Sequence, residues 1–313
     1  MYIGIDLGGT NIAAGLVTDK GEIMAKASVP TNSGRPTEEI VRDMAELSKQ
    51  LITENDLSID DIEAVGIGCP GTIDYKTGEV VYCNNIKMDH FPLSDVFRKH
   101  LDLPVRVDND ANCAALGEYK INGGGASSYL LITLGTGVGG GLILNGRLHR
   151  GFNGVAAEPG HITLVSGGER CTCGKEGCWE CYASATALVR DTKRAMEKAP
   201  DSLMHKVAAN AGKVGGKTAF DAAEMGDSAA KQVVDNYIRY VADGIVSCAN
   251  FVQPEITAIG GGVSKQGESL IAPIREYVYR YEYNKHMPKM KVEAASLGND
   301  AGIIGAAMLC MEE

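Results

Sequence analysis

Between residues 161 and 178 the chain places His161, Cys171, Cys173 and Cys178. Three thiolates and an imidazole are the donor set of a tetrahedral Zn²⁺ site, and four protein ligands leave no open position, so the ion reads as structural. Gly168, Gly174 and Gly177 allow so short a loop to fold around one ion. Cys181 follows closely and reads either as a substitute ligand or as a packed side chain. A second constellation consists of glycine bends at residues 8–10, 135–141 and 260–262, each after an apolar run. Such bends turn backbone N–H groups toward a ligand and form concavities that hold phosphate. One alone reads as a plain turn; three at strand ends point to a nucleotide. None is a Walker loop or a six-residue dinucleotide fingerprint in a strand–helix turn. Asp6, beside the first bend, reads as a residue that holds Mg²⁺ through water or as a turn-stabilising acid. A third set joins Asn109 and Asp110 at a strand end with Glu158, Glu180 and Asn85. An Asp across a cleft from nucleotide phosphates suits a general base for a hydroxyl nucleophile, and Asp110 reads equally as the N-cap of the helix that follows. The other acids and amides are of the kind that hold sugar hydroxyls.

The elements that must position these groups are legible in the hydrophobic pattern. Tyr2 to Leu7 and Ile12 to Val17 read as two strands around Gly8-Gly9-Thr10, with Asp19-Lys20-Gly21 as the closing turn. Pro36, Glu38 and Glu39 open a helix with Ile40, Met44, Leu47 and Leu51 at helical spacing. Short buried strands are expected at 64–68 and 105–107, and a helix over 111–119. The opening pattern then returns. Tyr129 to Leu134, a Gly135-Thr136-Gly137 bend and Gly140 to Leu144 form a second hairpin closed by Asn145-Gly146. The recurrence implies an internal duplication of about 125 residues, too long a period for a solenoid. Ile256 to Gly260 reads as a strand running into the third bend, with helices from about Glu268 and over 302–311.

Composition narrows the class. The 313 residues suggest about two domains, and 44% hydrophobic with 22% charged residues excludes disorder as the main state. The net charge of −10 and the lack of a dense Lys/Arg block argue against a nucleic-acid partner. No run of eighteen apolar residues is present to cross a membrane. Nine cysteines without an export signal suit a reducing compartment, so the expected location is the cytoplasm. Cys69, Cys83, Cys113, Cys248 and Cys310 read as small core residues.

Taken together the motifs resemble the ROK family of sugar kinases over essentially the whole chain. The resemblance rests on Asp6-Leu-Gly-Gly-Thr10, Leu134-Gly-Thr-Gly-Val-Gly-Gly-Gly141, Glu158-Pro-Gly-His161, Cys171-Thr-Cys-Gly-Lys-Glu-Gly-Cys-Trp-Glu180, Gly260-Gly-Gly-Val-Ser264 and Ser296-Leu-Gly-Asn-Asp-Ala301. It implies an α/β chain with the duplicated actin-like/ribonuclease-H-like ATPase fold, two domains around a cleft. The boundaries expected are 1–115, joined by the C-terminal helix 301–313, and 116–300 with the zinc loop. The resemblance further implies Asp110 as the base for the sugar 6-hydroxyl attacking the γ-phosphate of ATP. Asn85, Asn109, Glu158, His161 and Glu180 would grip the remaining hydroxyls. Gly8, Gly9, Thr10, Asn11, Gly135, Thr136 and Gly137 would face the ATP phosphates, and Gly261 and Gly262 the adenosine. Where the family often has Lys, this chain has Asn11, so no charge-neutralising role is assigned there. The stretch Cys178 to Ala187 looks like the bacterial glucokinases of the family, which implies glucose as acceptor; N-acetylmannosamine, N-acetylglucosamine and fructose kinases share the core set. Homodimers or homotetramers are implied. The family's repressors carry a DNA-binding domain ahead of the kinase-like part, for which a first strand at Tyr2 leaves no room.

Overall fold

The structure, a computed structural model, describes residues 1–312. The chain forms two compact units. The first comprises Met1–Leu131, Gly141–Ala157 and the stretch from Ser296 onward; the second comprises Ile132–Gly140 and Glu158–Ala295. The boundary expected from sequence at 115/116 falls inside a continuous helix, Asp110–Asn122, that lies in the first unit.

The first unit is built on β1 (Tyr2–Leu7), β2 (Asn11–Val17) and β3 (Ile23–Pro30), followed by helix α1 (Thr37–Glu54) and strand β4 (Ala64–Cys69). A small antiparallel sheet of β5 (Thr72–Asp74), β6 (Glu79–Cys83) and β7 (Met88–Phe91) precedes α2 (Leu93–Arg98), β8 (Val105–Asn109) and α3 (Asp110–Asn122). The main sheet has the order β3-β2-β1-β4-β8. β1 is antiparallel to β2, with Leu7 opposite Ile12, and parallel to β4, with Asp6 opposite Gly68. β4 in turn runs parallel to β8, with Cys69 opposite Asn109. Asp6 and Asn109 therefore lie at corresponding ends of parallel strands, where open α/β sheets bind ligands. Strand β4 is buried along its whole length, as expected of a parallel strand covered on both faces.

The opening pattern recurs in β9 (Ser128–Leu134), β10 (Val138–Leu144) and β11 (Arg147–Leu148), in a second sheet of order β11-β10-β9-β12-β13. Its last two strands, β12 (Ile256–Gly260) and β13 (Lys291–Ala294), pair in parallel. Between the halves of this pattern the second unit inserts α4 (Glu180–Ala183), α5 (Ala185–Lys198), α6 (Met204–Asn210), α7 (Thr218–Glu224) and α8 (Ser228–Val252), with α9 (Glu268–Tyr281) linking β12 to β13. The last helix, α10 (Asp300–Leu309), is buried from Ala301 to Leu309 and belongs to the first unit. Cys69, Cys83 and Cys113 are core residues, whereas Cys248 and Cys310 are only half-buried, contrary to the expectation for them. No helix among the described residues is long and apolar enough to cross a membrane.

Candidate active site

In the first unit the bend after β1 is closed by the Gly8 N–H, which donates to the Asn11 carbonyl at 3.0 Å. Gly9, Thr10 and Asn11 are exposed. Asn85, in the turn between β6 and β7, lies against this bend: its Cβ is 3.7 Å from where a Gly9 side chain would begin. On the neighbouring strand end, α3 begins at Asp110, and its N-cap is Asn109. The Asn109 side-chain oxygen accepts from the N–H groups of Ala111 and Asn112 at 2.9 and 3.3 Å, while its amide donates to the Gly71 carbonyl at 3.1 Å. The capping role that sequence left open for Asp110 thus belongs to Asn109, one residue earlier. A cap must have non-helical backbone angles, and Asn109 has them.

Asp110 is the first helical residue, and its side chain bonds only locally, to the Ala111 N–H at 2.9 Å. Burial holds its carboxyl above the usual carboxylate range despite the backbone N–H groups that pull it down. Asp6 is pushed up to about 6, first by burial and then by the charge of Asp110. The charge of Asp110 thus reaches Asp6, whose carboxyl oxygens are donors of the kind a hard divalent cation takes. Sequence reasoning did not single out Asp108, which is 2% exposed. Its carboxylate accepts from the Asn109 N–H at 2.7 Å and the Asn112 amide at 2.9 Å, and it pairs with Arg150 at 2.5 Å. An acid adjoining Asn-Asp was the only available signal; its cation stands 42 positions further along.

In the second unit, one atom each of His161, Cys171, Cys173 and Cys178 lies within 4.8 Å of the others. Nδ1 of His161 is 3.7 Å from the Cys171 sulfur, and the sulfurs of Cys173 and Cys178 are 3.6 Å apart. A tetrahedron with metal–sulfur bonds of about 2.3 Å has edges of about 3.8 Å, so the donor set fits Zn²⁺. Cys181 lies outside this group. The loop can close because Gly177 has a φ of 79° and the Val165 carbonyl occupies the space a side chain would need. Trp179, fully buried, fixes the loop to α8 by donating to the Tyr240 carbonyl at 2.8 Å.

Glu180 joins two of the predicted groups. One carboxylate oxygen accepts from the Cys171 thiol at 3.0 Å, and the other lies 2.5 Å from where a Gly137 side chain would begin. A side chain at position 137 would displace the Glu180 carboxylate from this place. The Gly135–Gly137 bend is closed by the Gly135 N–H bonded to the Gly137 carbonyl at 3.0 Å, and α5 supports it: the Ala185 N–H donates to Gly135 and the Thr186 hydroxyl to Thr136, both at 2.8 Å. Glu158 opens the short turn Pro159–His161, whose His161 N–H donates to the Glu158 carbonyl at 3.2 Å. Gly261, after β12, has a φ of 85° and leads with Gly262 into a helical turn. The predicted residues divide between the units. Asp6, Gly8–Asn11, Asn85, Asn109 and Asp110 gather in the first; Gly135–Gly137, Glu158, His161, the three cysteines, Glu180, Gly261 and Gly262 belong to the second.

Comparison with known proteins supports the pattern over its full length. The glucokinase of Halalkalibacterium halodurans is 40% identical over 314 residues, spanning 100% of this chain and 95% of that protein. The glucokinase of Thermotoga maritima is 38% identical over 312 residues, 99% of this chain and 97% of its own. The crystal structure of a ROK family glucokinase from Streptomyces griseus, in complex with glucose and AMPPNP, matches with a TM-score of 0.84 and 39% identity, over 98% of each chain. The fold is accordingly the duplicated actin-like one that the sequence implied. The ROK family model matches residues 2–313, and the chain belongs to the ROK family.

Proposed function

We propose that the protein is an ATP-dependent glucokinase, transferring the γ-phosphoryl group of ATP to the 6-hydroxyl of glucose and releasing ADP and glucose 6-phosphate. The observation that carries this reading is Asp110. It is a carboxylate at the end of a parallel strand, freed from capping by Asn109 and raised toward the range of a working base by burial, in a chain similar to glucokinases along its whole length. In the reaction, Asp110 takes the proton from the sugar O6 as that oxygen attacks the γ-phosphorus and the bond to the ADP oxygen breaks. Asn85, Asn109, Glu158, His161 and Glu180 hold the other hydroxyls. Backbone N–H groups of Gly8–Asn11 and Gly135–Gly137 hold the phosphates, and Gly261 and Gly262 adjoin the adenosine. Asp6 would hold Mg²⁺, which supplies charge neutralisation on the phosphates. His161, Cys171, Cys173 and Cys178 would hold a structural Zn²⁺, which supplies rigidity to the loop presenting His161 and Glu180. The family resemblance supports a cytoplasmic homodimer or homotetramer acting on a small sugar, without nucleic acid or membrane.

The test is a coupled ADP-release assay with Mg·ATP against glucose, fructose, mannose, N-acetylglucosamine and N-acetylmannosamine. A kcat/KM highest for glucose is expected. Preference for an N-acetyl sugar would move the substrate while keeping the base, and ADP release independent of any sugar would overturn the kinase reading.

A further inference from the structure

The bend after β1 has one backbone bond of its own, from Gly8 to Asn11, and two adjacent glycines, whose freedom makes ordering costly. It is held from outside by Thr31, the residue after β3, which is 0% exposed. The Thr31 N–H donates to the Thr10 carbonyl at 2.8 Å, and its hydroxyl donates to the Gly8 carbonyl at 2.6 Å. The Thr31 carbonyl accepts from Nε of Arg35 at 3.1 Å, and the same guanidinium pairs with Asp43 of α1 at 2.6 Å. Two alternate carbonyls of the bend are therefore drawn to one buried residue. The peptides are trans, and in a trans peptide the following N–H points opposite to the C=O. Drawing Gly8 and Thr10 carbonyls toward Thr31 turns the N–H groups of Gly9 and Asn11 away from it, on residues that are exposed.

We propose that Thr31, braced by Arg35 and Asp43, is a positioning residue for the nucleotide: it aims the Gly9 and Asn11 N–H groups at the phosphates of ATP. The inference rests on the kinase reading and deepens it, by assigning the shape of the bend to three residues that carry no phosphate contact themselves. It also explains how a bend with Asn11, and no lysine, holds a polyanion. The donors are backbone groups fixed before binding, so little ordering remains to be done when the nucleotide arrives.

Thr31→Val replaces the hydroxyl by a methyl of the same shape, and Thr31→Ser keeps the hydroxyl. AMPPNP dissociation constants from titration calorimetry, with KM for ATP and for glucose, separate the roles. For Thr31→Val we expect nucleotide affinity to fall about three- to tenfold, the loss of one hydrogen bond, with KM for glucose unchanged and Thr31→Ser close to wild type. If Thr31→Val does not fold, Arg35→Gln leaves Thr31 in place and is expected to weaken AMPPNP alone, by less. Unchanged AMPPNP affinity in the folded variant, or an equal loss for both substrates, overturns the brace. A wild-type protein that binds glucose but no nucleotide overturns the kinase reading and the brace with it.

Discussion

Asp110 stands where two effects oppose one another. At the start of a helix, N–H groups and the helix dipole favour a charged carboxylate, and the backbone bonds from Ala111 and from Asp110 itself pull its pKa down. Burial acts in the other direction and prevails, leaving the carboxyl above its ordinary value. Its neighbour Asp6 reaches about 6, first through burial and then through the charge of Asp110. A base must be deprotonated to accept the sugar proton. The rate therefore rises with pH through the raised pKa values, and the acid limb of kcat/KM should lie above the ordinary aspartate range of about 4. Asp110→Asn should lower kcat by about 10²–10⁴-fold, the usual contribution of a positioned base, while glucose binding persists. A pH–rate profile of both forms checks this; near-normal kcat in Asp110→Asn would remove Asp110 from the reaction.

At the scale of elements, the metal loop is the piece most dependent on its anchors. Trp179 ties it to α8, the Tyr182 hydroxyl accepts from the Glu169 N–H at 2.7 Å, and Tyr237 of α8 donates to the Ala183 carbonyl at 2.8 Å. Glu180 sits between these anchors and the Gly137 bend. Cys173→Ser is the cleanest probe, because Cys173 is exposed and its loss opens no core cavity. We expect metal analysis to find zinc in the wild type and none in the variant, and KM for glucose to rise about tenfold or more, the scale at which disturbed metal sites lose function. Stoichiometric zinc in the variant would break the ligand assignment. The loop was legible in sequence because spacing alone fixes a Cys₃His set. The strands β1, β2, β4, β9, β10 and β12 were legible because they are apolar runs with a glycine-containing turn close after each. No element was assigned between 187 and 255. There α5 buries Ala187, Leu188 and Thr192, and α8 turns inward Ala230, Ala242, Gly244 and Ala249. α8 also turns inward Val233, Val234, Tyr237, Val241 and Ile245, a helical period the sequence does carry; what spacing does not show is that Trp179 fills the space beside Gly244. Likewise Thr31 and Asp108 act through partners that sequence spacing does not announce.

At the scale of the whole chain, the first unit is assembled from three separated stretches, and Arg150 is one residue at which all three meet. It pairs with Asp108 at 2.5 Å and with Glu312 at 3.3 Å, and its guanidinium lies 4.8 Å from the Tyr75 ring centre. The strand before the base, the segment after the second hairpin and the chain's C-terminal end thus share one cation. The Asp108 side chain is 3% exposed and that of Arg150 17%, so removing the cation leaves a buried carboxylate uncompensated. Breaking such a pair from one side costs about 3–5 kcal/mol, whereas replacing both partners by neutral groups costs much less. Arg150→Ala should therefore lower the urea midpoint of the first unit at unchanged slope. It should also lower kcat, because Asp108 orders the Asn109 N–H and the Asn112 amide around the start of α3. In Arg150→Met with Asp108→Asn the midpoint should recover most of the loss, since Asn keeps an acceptor for both donors without the charge. If the double variant is no more stable than Arg150→Ala, the contribution of Arg150 lies in its stacking on Tyr75 and its hold on Glu312 rather than in compensating Asp108. The C-terminal end, not the strand before the base, would then be what the cation secures.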